Sequence, residues 1–348
     1  MQDDFEQSPR VAIWEVTRAC DLACRHCRAC AIPRPDPAEL TTAEGFDLIE
    51  QLVELAPGVV VLTGGDPLKR RDLFTLILAA VRRGLTVAIT PSVTPLLTAD
   101  AIAHLARAGI SRVALSLDGP DAATHDTLRG TPGSFLATHR AIAAVRAAGL
   151  PLQVNTSLTR ATAGALPAML AHVAAIAPVL WSVFFVVPVG RATAAQQLDA
   201  EECERIFAVL ADWSAATGLP VKTTAAPAFR RVLAERAAAS AAGRAGRRPP
   251  LPAAVTDGRG IVFVSHTGAI QPSGFLPLVA GNVRWDRLAA VYRTGALFRA
   301  LRDDGRLGGK CGRCAFRRLC GGSRARAFAV AGDAFAEDPA CAYQPPAR

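Results

Sequence analysis

Between residues 11 and 217 short apolar, β-rich runs alternate with stretches of helical periodicity. That alternation restricts the chain to parallel β/α units. The runs fall at 11–16, 59–62, 85–89, 113–117, 152–158 and 179–187. Thr41 followed by Glu44 reads as a capping box opening the first helix, and Gly84 as a helix C-cap. A further helix over 98–108 stops at Gly109, and a long alanine-rich one runs to Gly149. Six parallel strands with a helix after each predict an α/β fold, a partial (β/α)6 TIM-like barrel open on one side. In such barrels the C-terminal strand ends carry the chemistry.

Those ends are where the unusual residues cluster. Cys20, Cys24 and Cys27 follow the first run at spacings of three and two intervening residues. Thiolates in a strand-to-loop position suit zinc or an iron–sulfur cluster. A closed zinc site needs a fourth ligand, which His26 or Cys30 could supply. Three thiolates on a four-iron cluster instead leave one iron open to a small molecule. The second run ends in Gly64-Gly65-Asp66-Pro67, where glycines permit close backbone approach and Asp66 offers an acceptor. Ser116, Asp118 and Asn155 are polar groups at the ends of the fourth and fifth runs and need partners if buried. His125 and Arg129 fall in a loop above the barrel mouth, where a solvated role competes with a substrate role.

Residues 218–250 are rich in Ala and Arg and close on Arg247-Arg248-Pro249-Pro250. A connecting helix and linker over 218–254 would then separate a barrel over 1–217 from a small unit over 255–348. That unit carries Cys311, Cys314, Cys320 and Cys341, a second group that closes a zinc site or a 4Fe–4S cluster equally well on spacing. Cys203 sits in a helical pattern and reads as a small core residue. The nine cysteines, with an acidic and polar start and no apolar run long enough to span a bilayer, fit a cytoplasmic protein without a membrane partner. The formal charge of +9 comes from 39 basic residues of which only Lys69, Lys222 and Lys310 are lysines. No basic patch interleaved with aromatics accompanies it, so no nucleic-acid partner is expected.

The Cys20/Cys24/Cys27 spacing resembles the signature of radical S-adenosylmethionine (radical SAM) enzymes, with His26 in a place usually held by another aromatic. The resemblance implies a 4Fe–4S cluster on those three thiols, S-adenosyl-L-methionine (AdoMet) as co-substrate and an electron donor of the flavodoxin or ferredoxin type. It implies that Gly64, Gly65 and Asp66 hold the methionine amino group. By the same likeness Ser116, Asp118 and Asn155 meet its ribose and carboxylate, and the region of Val189 packs on adenine. The later cysteines resemble a SPASM or twitch extension carrying auxiliary clusters. Where a full extension has a further cysteine ligand this chain has Arg324, and Ser273 stands where an earlier ligand would be, so one auxiliary cluster on Cys311, Cys314, Cys320 and Cys341 is implied. Residues 258–345 further resemble the radical SAM proteins of haem d1 and alternative haem synthesis. That likeness implies oxidative removal of a tetrapyrrole side chain, with His266 as a turn residue or an iron contact. A peptide-modifying maturase and, from another class, a zinc-bound regulatory protein are the competing readings.

Overall fold

The computed structural model describes residues 5–241 and 253–346. Arg247-Arg248-Pro249-Pro250, the expected linker, lies outside the described residues. All six expected strands form: β1 (Val11–Thr17), β2 (Val59–Gly64), β3 (Val87–Ile89), β4 (Arg112–Ser116), β5 (Leu152–Leu158) and β6 (Leu180–Phe185). They pair in sequence order, each parallel to the next. The helices α1 (Thr42–Leu55), α2 (Leu73–Arg82), α3 (Ala99–Arg107), α4 (Ala122–Arg129), α5 (Ser134–Ala147) and α6 (Leu166–Ile176) lie between them. The expected capping box opens α1: Glu44 N–H donates to Thr41 Oγ1 at 3.2 Å, and Thr41 N–H donates to Glu44 Oε2 at 2.7 Å.

Four strands that the sequence pattern hid extend this sheet at its two edges. After α7 (Ala200–Thr217) comes β7 (Val221–Thr224), parallel to β6, and then α8 (Phe229–Ala241). Its Val-Lys-Thr-Thr sequence is too short and polar to read as a strand, yet it adds an edge. At the other edge β8 (Ile261–Val264) runs parallel to β1, and β9 (Ala269–Gln271) and β10 (Gly281–Asn282) continue antiparallel. The C-terminal region thus shares the sheet with the barrel.

The core lies between sheet and helices. Trp14 on β1 and Trp181 on β6 are among its largest buried side chains, with Leu48 and Leu52 of α1 and Phe207 of α7. Cys203 packs there too, and burial pushes its thiol up to about 12, as expected of an inert core residue. The outward faces of the strands fill this core. The inward faces of β1, β2 and β4 carry Val, Ile and Ala (Val11, Ile13, Val59, Val61, Ala114), too small to fill the barrel, and a cavity of about 750 Å³ remains.

Candidate active site

Cys20, Cys24 and Cys27 all line that cavity, and Cys30 does not. The loop that carries them is pinned at its base: Cys20 N–H donates to Ile32 O at 2.8 Å and Ile32 N–H to Arg18 O at 3.0 Å. Gly64 and Gly65 press against this loop from β2. A Cβ on Gly65 would lie 2.4 Å from Ala19 O, and one on Gly64 2.3 Å from Thr17 O. Only glycine admits that approach. It lets Gly65 N–H reach Thr17 O at 2.8 Å, so the glycines lock the cysteine loop as well as line the cavity. From β6 the turn residue Gly190, at φ +69°, would bring a Cβ to 2.4 Å from both Cys27 O and Arg28 O.

Donors surround the sulfurs. Leu22 N–H donates to Cys20 Sγ at 3.4 Å, Ala31 N–H to Cys27 Sγ at 3.5 Å, and Arg129 Nη1 to Cys24 Sγ at 3.7 Å. The Ser92 hydroxyl sits 3.5 Å from Cys20 Sγ. Burial raises the Cys27 thiol, but the Ala31 N–H and the Arg191 guanidinium more than offset it and leave it below the ordinary cysteine range. Among the described residues Arg191 Nε and Nη2 are buried with no oxygen or nitrogen partner, beside the Cys27 sulfur. Buried donors of this kind call for an acceptor. The donor-rich surroundings fit a thiolate-bound iron–sulfur cluster, whose sulfurs take such hydrogen bonds.

Asp118 works behind the cavity wall. Its Oδ2 pairs with Arg129 Nε at 2.7 Å and lies 3.9 Å from His26 Nε2, while Oδ1 accepts from Ser157 N–H at 2.7 Å. Burial opposes its charge, and the Arg129 cation prevails and lowers its pKa. Burial pushes His26 down to about 4. Asp66 is also buried outside the cavity lining, its carboxylate accepting from Leu68 N–H at 3.2 Å and Thr94 Oγ1 at 2.7 Å. Ser116, Asn155 and Val189 do line the cavity. His125 and Arg129, expected in a loop, lie on α4 because the Asp121 side chain caps it at Thr124 N–H, 2.8 Å. His125 Nδ1 accepts from Asp118 N–H at 3.0 Å.

One network escaped the sequence reading. Glu15, buried on β1, accepts from Arg28 Nη2 at 2.7 Å and lies 2.9 Å from His266 Nδ1. His266 Nε2 lies 3.4 Å from Asp36 Oδ2, so both ring nitrogens face carboxylates and the ring does not line the cavity. His266 is therefore the turn residue of the two expected roles. A glutamate within an apolar strand and an arginine beside Cys27 were the available signals.

The later cysteines also converge. Cys311, Cys314, Cys320 and Cys341 all line one small cavity, together with Arg231 and Lys310. Phe316 N–H donates to Cys314 Sγ, Gly322 N–H to Cys320 Sγ and Asp338 N–H to Cys311 Sγ, each at 3.4 Å. Arg324 fills its own place: Nη1 donates to Ala334 O at 2.9 Å and Ala336 O at 2.7 Å, and Nη2 approaches Cys311 Sγ at 3.8 Å. Ser273 donates to the Asp257 carboxylate, which also takes Ala325 N–H at 2.9 Å. Among the described residues no three His, Cys, Asp or Glu side chains close around a single ion.

Residues 14–160 match the model of the radical SAM superfamily. The AdoMet-dependent heme synthase of Oleidesulfovibrio alaskensis is 37% identical, over 99% of this chain and 89% of that protein. The protein of the same name from Nitratidesulfovibrio vulgaris is 36% identical, over 99% and 95%. This chain belongs to the radical SAM superfamily. The fold agrees: Streptococcus suis SuiB bound to precursor peptide SuiA superposes with a TM-score of 0.73 at 16% identity, covering 97% of this chain and 76% of SuiB. As a radical SAM protein the chain is an enzyme whose family works with a 4Fe–4S cluster and AdoMet, and a regulatory zinc protein is set aside. Among the described residues no helix is long and apolar enough to cross a membrane.

Proposed function

We propose that this radical SAM enzyme acts in the cytoplasm on a haem-pathway tetrapyrrole, removing a side chain oxidatively; its relatives of 36–37% identity carry the name AdoMet-dependent heme synthase. The observation that carries the reading is one largely apolar cavity of about 750 Å³ with the three thiols at its edge. It has room for a flat, apolar molecule beside the reacting group.

Cys20, Cys24 and Cys27 would hold the catalytic 4Fe–4S cluster. When bound, cluster and AdoMet together supply a 5′-deoxyadenosyl radical able to take a hydrogen atom from the substrate. The chain's own residues prepare the place. Arg129 and Arg191 stabilise negative charge on the sulfurs, and Asp118 holds Arg129 in position. Gly64, Gly65, Ser116, Asn155 and Val189 form the wall against which AdoMet would lie. Asp66 fixes the turn that follows β2 from behind that wall. The apolar walls exclude water from a reactive intermediate.

Cys311, Cys314, Cys320 and Cys341 would hold a second 4Fe–4S cluster, suited by its four thiolates to accept an electron from the substrate. In this reading residues 1–217 form the radical-generating unit, 218–254 the connection and 255–348 the auxiliary unit, with a flavodoxin or ferredoxin-type donor as reductant.

The test is anaerobic reconstitution with iron and sulfide, then incubation with AdoMet, reductant and an iron porphyrin bearing propionates. Mass spectrometry should show loss of side-chain mass in step with 5′-deoxyadenosine. An unchanged porphyrin, alongside modification of a small peptide encoded beside the gene, would replace the tetrapyrrole with a peptide substrate.

A further inference from the structure

The cavity lining is strongly unbalanced in charge. Asp257 is its one acidic residue among the described residues, and its carboxylate is taken by Ser273 and Ala325 N–H. Two lining arginines are neutralised, Arg28 by Glu15 and Arg129 by Asp118. Arg10, Arg112, Lys222 and Arg230 also line the cavity, and among the described residues no carboxylate pairs with Arg112, Lys222 or Arg230. Arg112 Nη1 donates to the Gln153 side-chain oxygen at 3.3 Å. Burial and the charges of Arg112 and Arg230 hold the Lys222 ammonium below the ordinary lysine range.

Three cations lining one largely apolar cavity repel one another and are poorly solvated, and an anion among them would relieve both costs. Their place is informative. Arg112 opens β4, whereas the thiols follow the C-terminal end of β1. The four steps along the five residues of β4, Arg112 to Ser116, put roughly 13 Å between its two ends.

We propose that Arg112, Lys222 and Arg230 form a carboxylate site that anchors a non-reacting acidic side chain of the substrate, with Arg112 at the N-terminal end of β4, away from the three thiols. The inference rests on the tetrapyrrole reading. It adds an orientation: a large apolar acid with carboxylates on separate edges is held by one edge while another is presented to the thiol end. Arginine supplies a planar fork for the carboxylate and lysine a point charge.

The site is tested by binding, without turnover. Purified protein is titrated with a free-base porphyrin carrying four propionates, followed by porphyrin fluorescence, and with its tetra-amide. Wild type should bind the acid more tightly than the amide. Lys222→Met should weaken acid binding by about tenfold or more, while Lys222→Arg retains it. The ligand-free Lys222→Met protein should melt no lower than wild type, since a repelled charge has been removed, and this separates lost binding from lost folding. If wild type binds neither acid nor amide, the tetrapyrrole reading and the site fall together. Equal binding of the acid by wild type, Lys222→Met and Arg112→Met overturns the site alone and leaves the substrate class standing.

Discussion

Gly190 shows how much a single residue decides at this site. Its positive φ and the 2.4 Å that a Cβ would leave to Cys27 O and Arg28 O make any side chain doubly unfavourable. Gly190→Ala is expected to destabilise the fold by about 1–3 kcal/mol and to displace the cysteine loop. Thermal melting and iron content would be read together, with unchanged values for both refuting the role. That Cys20, Cys24 and Cys27 meet at one cavity was legible from spacing, because three thiols within one short loop stay close together. Arg191 was not: an arginine after a turn glycine has no pattern, and its buried, unpartnered nitrogens appear only once β6 is folded beside the loop. Asp66 and Asp118 stand at strand ends without lining the cavity, since sequence marks a strand end without telling which side chain faces in. Cys30→Ala should leave AdoMet cleavage intact, and Cys24→Ala should abolish it. Loss of cluster absorption in Cys30→Ala would reassign the ligands.

The link between α1 and the C-terminal region belongs to the scale of elements. Glu44 closes the capping box of α1 and also accepts from Arg284 Nε at 2.6 Å. Arg284 and the Thr41 N–H together bring the Glu44 carboxyl down from 4.5 to about 2. A depressed folded-state pKa contributes stability that is present above the unfolded value and lost as pH falls through the folded one. Glu44→Gln should therefore flatten the stability profile between about pH 4.5 and about 2 and change nothing in shape above it. Melting series across that range would show it, and an undiminished acid limb would deny Glu44 a part. This helix start was readable because its signal spans four residues. The edges β7 and β8 were not, since a short strand such as Val-Lys-Thr-Thr acquires its identity from the neighbour it pairs with.

At the scale of the whole molecule the auxiliary region is bound into the barrel at several points. β8 pairs with β1 from Val11 to Trp14. Arg28 of the cysteine loop meets Glu15, the Phe263 ring at 4.9 Å and Gly274 O at 3.4 Å. Arg326, buried in the helix Arg324–Ala331, donates to Ala225 O at 2.7 Å and to Phe185 O at 3.2 Å, closing on the ends of β6 and β7. Buried guanidinium donors on strand-end carbonyls are costly to remove, because the carbonyls are then left without partners. Perturbing the auxiliary cysteines should accordingly be felt throughout. Cys314→Ser is expected to lower a single cooperative transition rather than to release a separate early one. If these cysteines hold a cluster, metal binding and folding are coupled, and part of that loss would be the cluster's own contribution. Two further readings separate structure from electron transfer in the reconstituted variant: 5′-deoxyadenosine formed, and product formed per 5′-deoxyadenosine. If the second cluster takes the substrate electron, a folded Cys314→Ser protein should still form 5′-deoxyadenosine while product falls much further. Full product per 5′-deoxyadenosine would leave the auxiliary cysteines a structural role only, and a two-step melt with the barrel transition unmoved would sever the coupling that β8 and Arg326 describe.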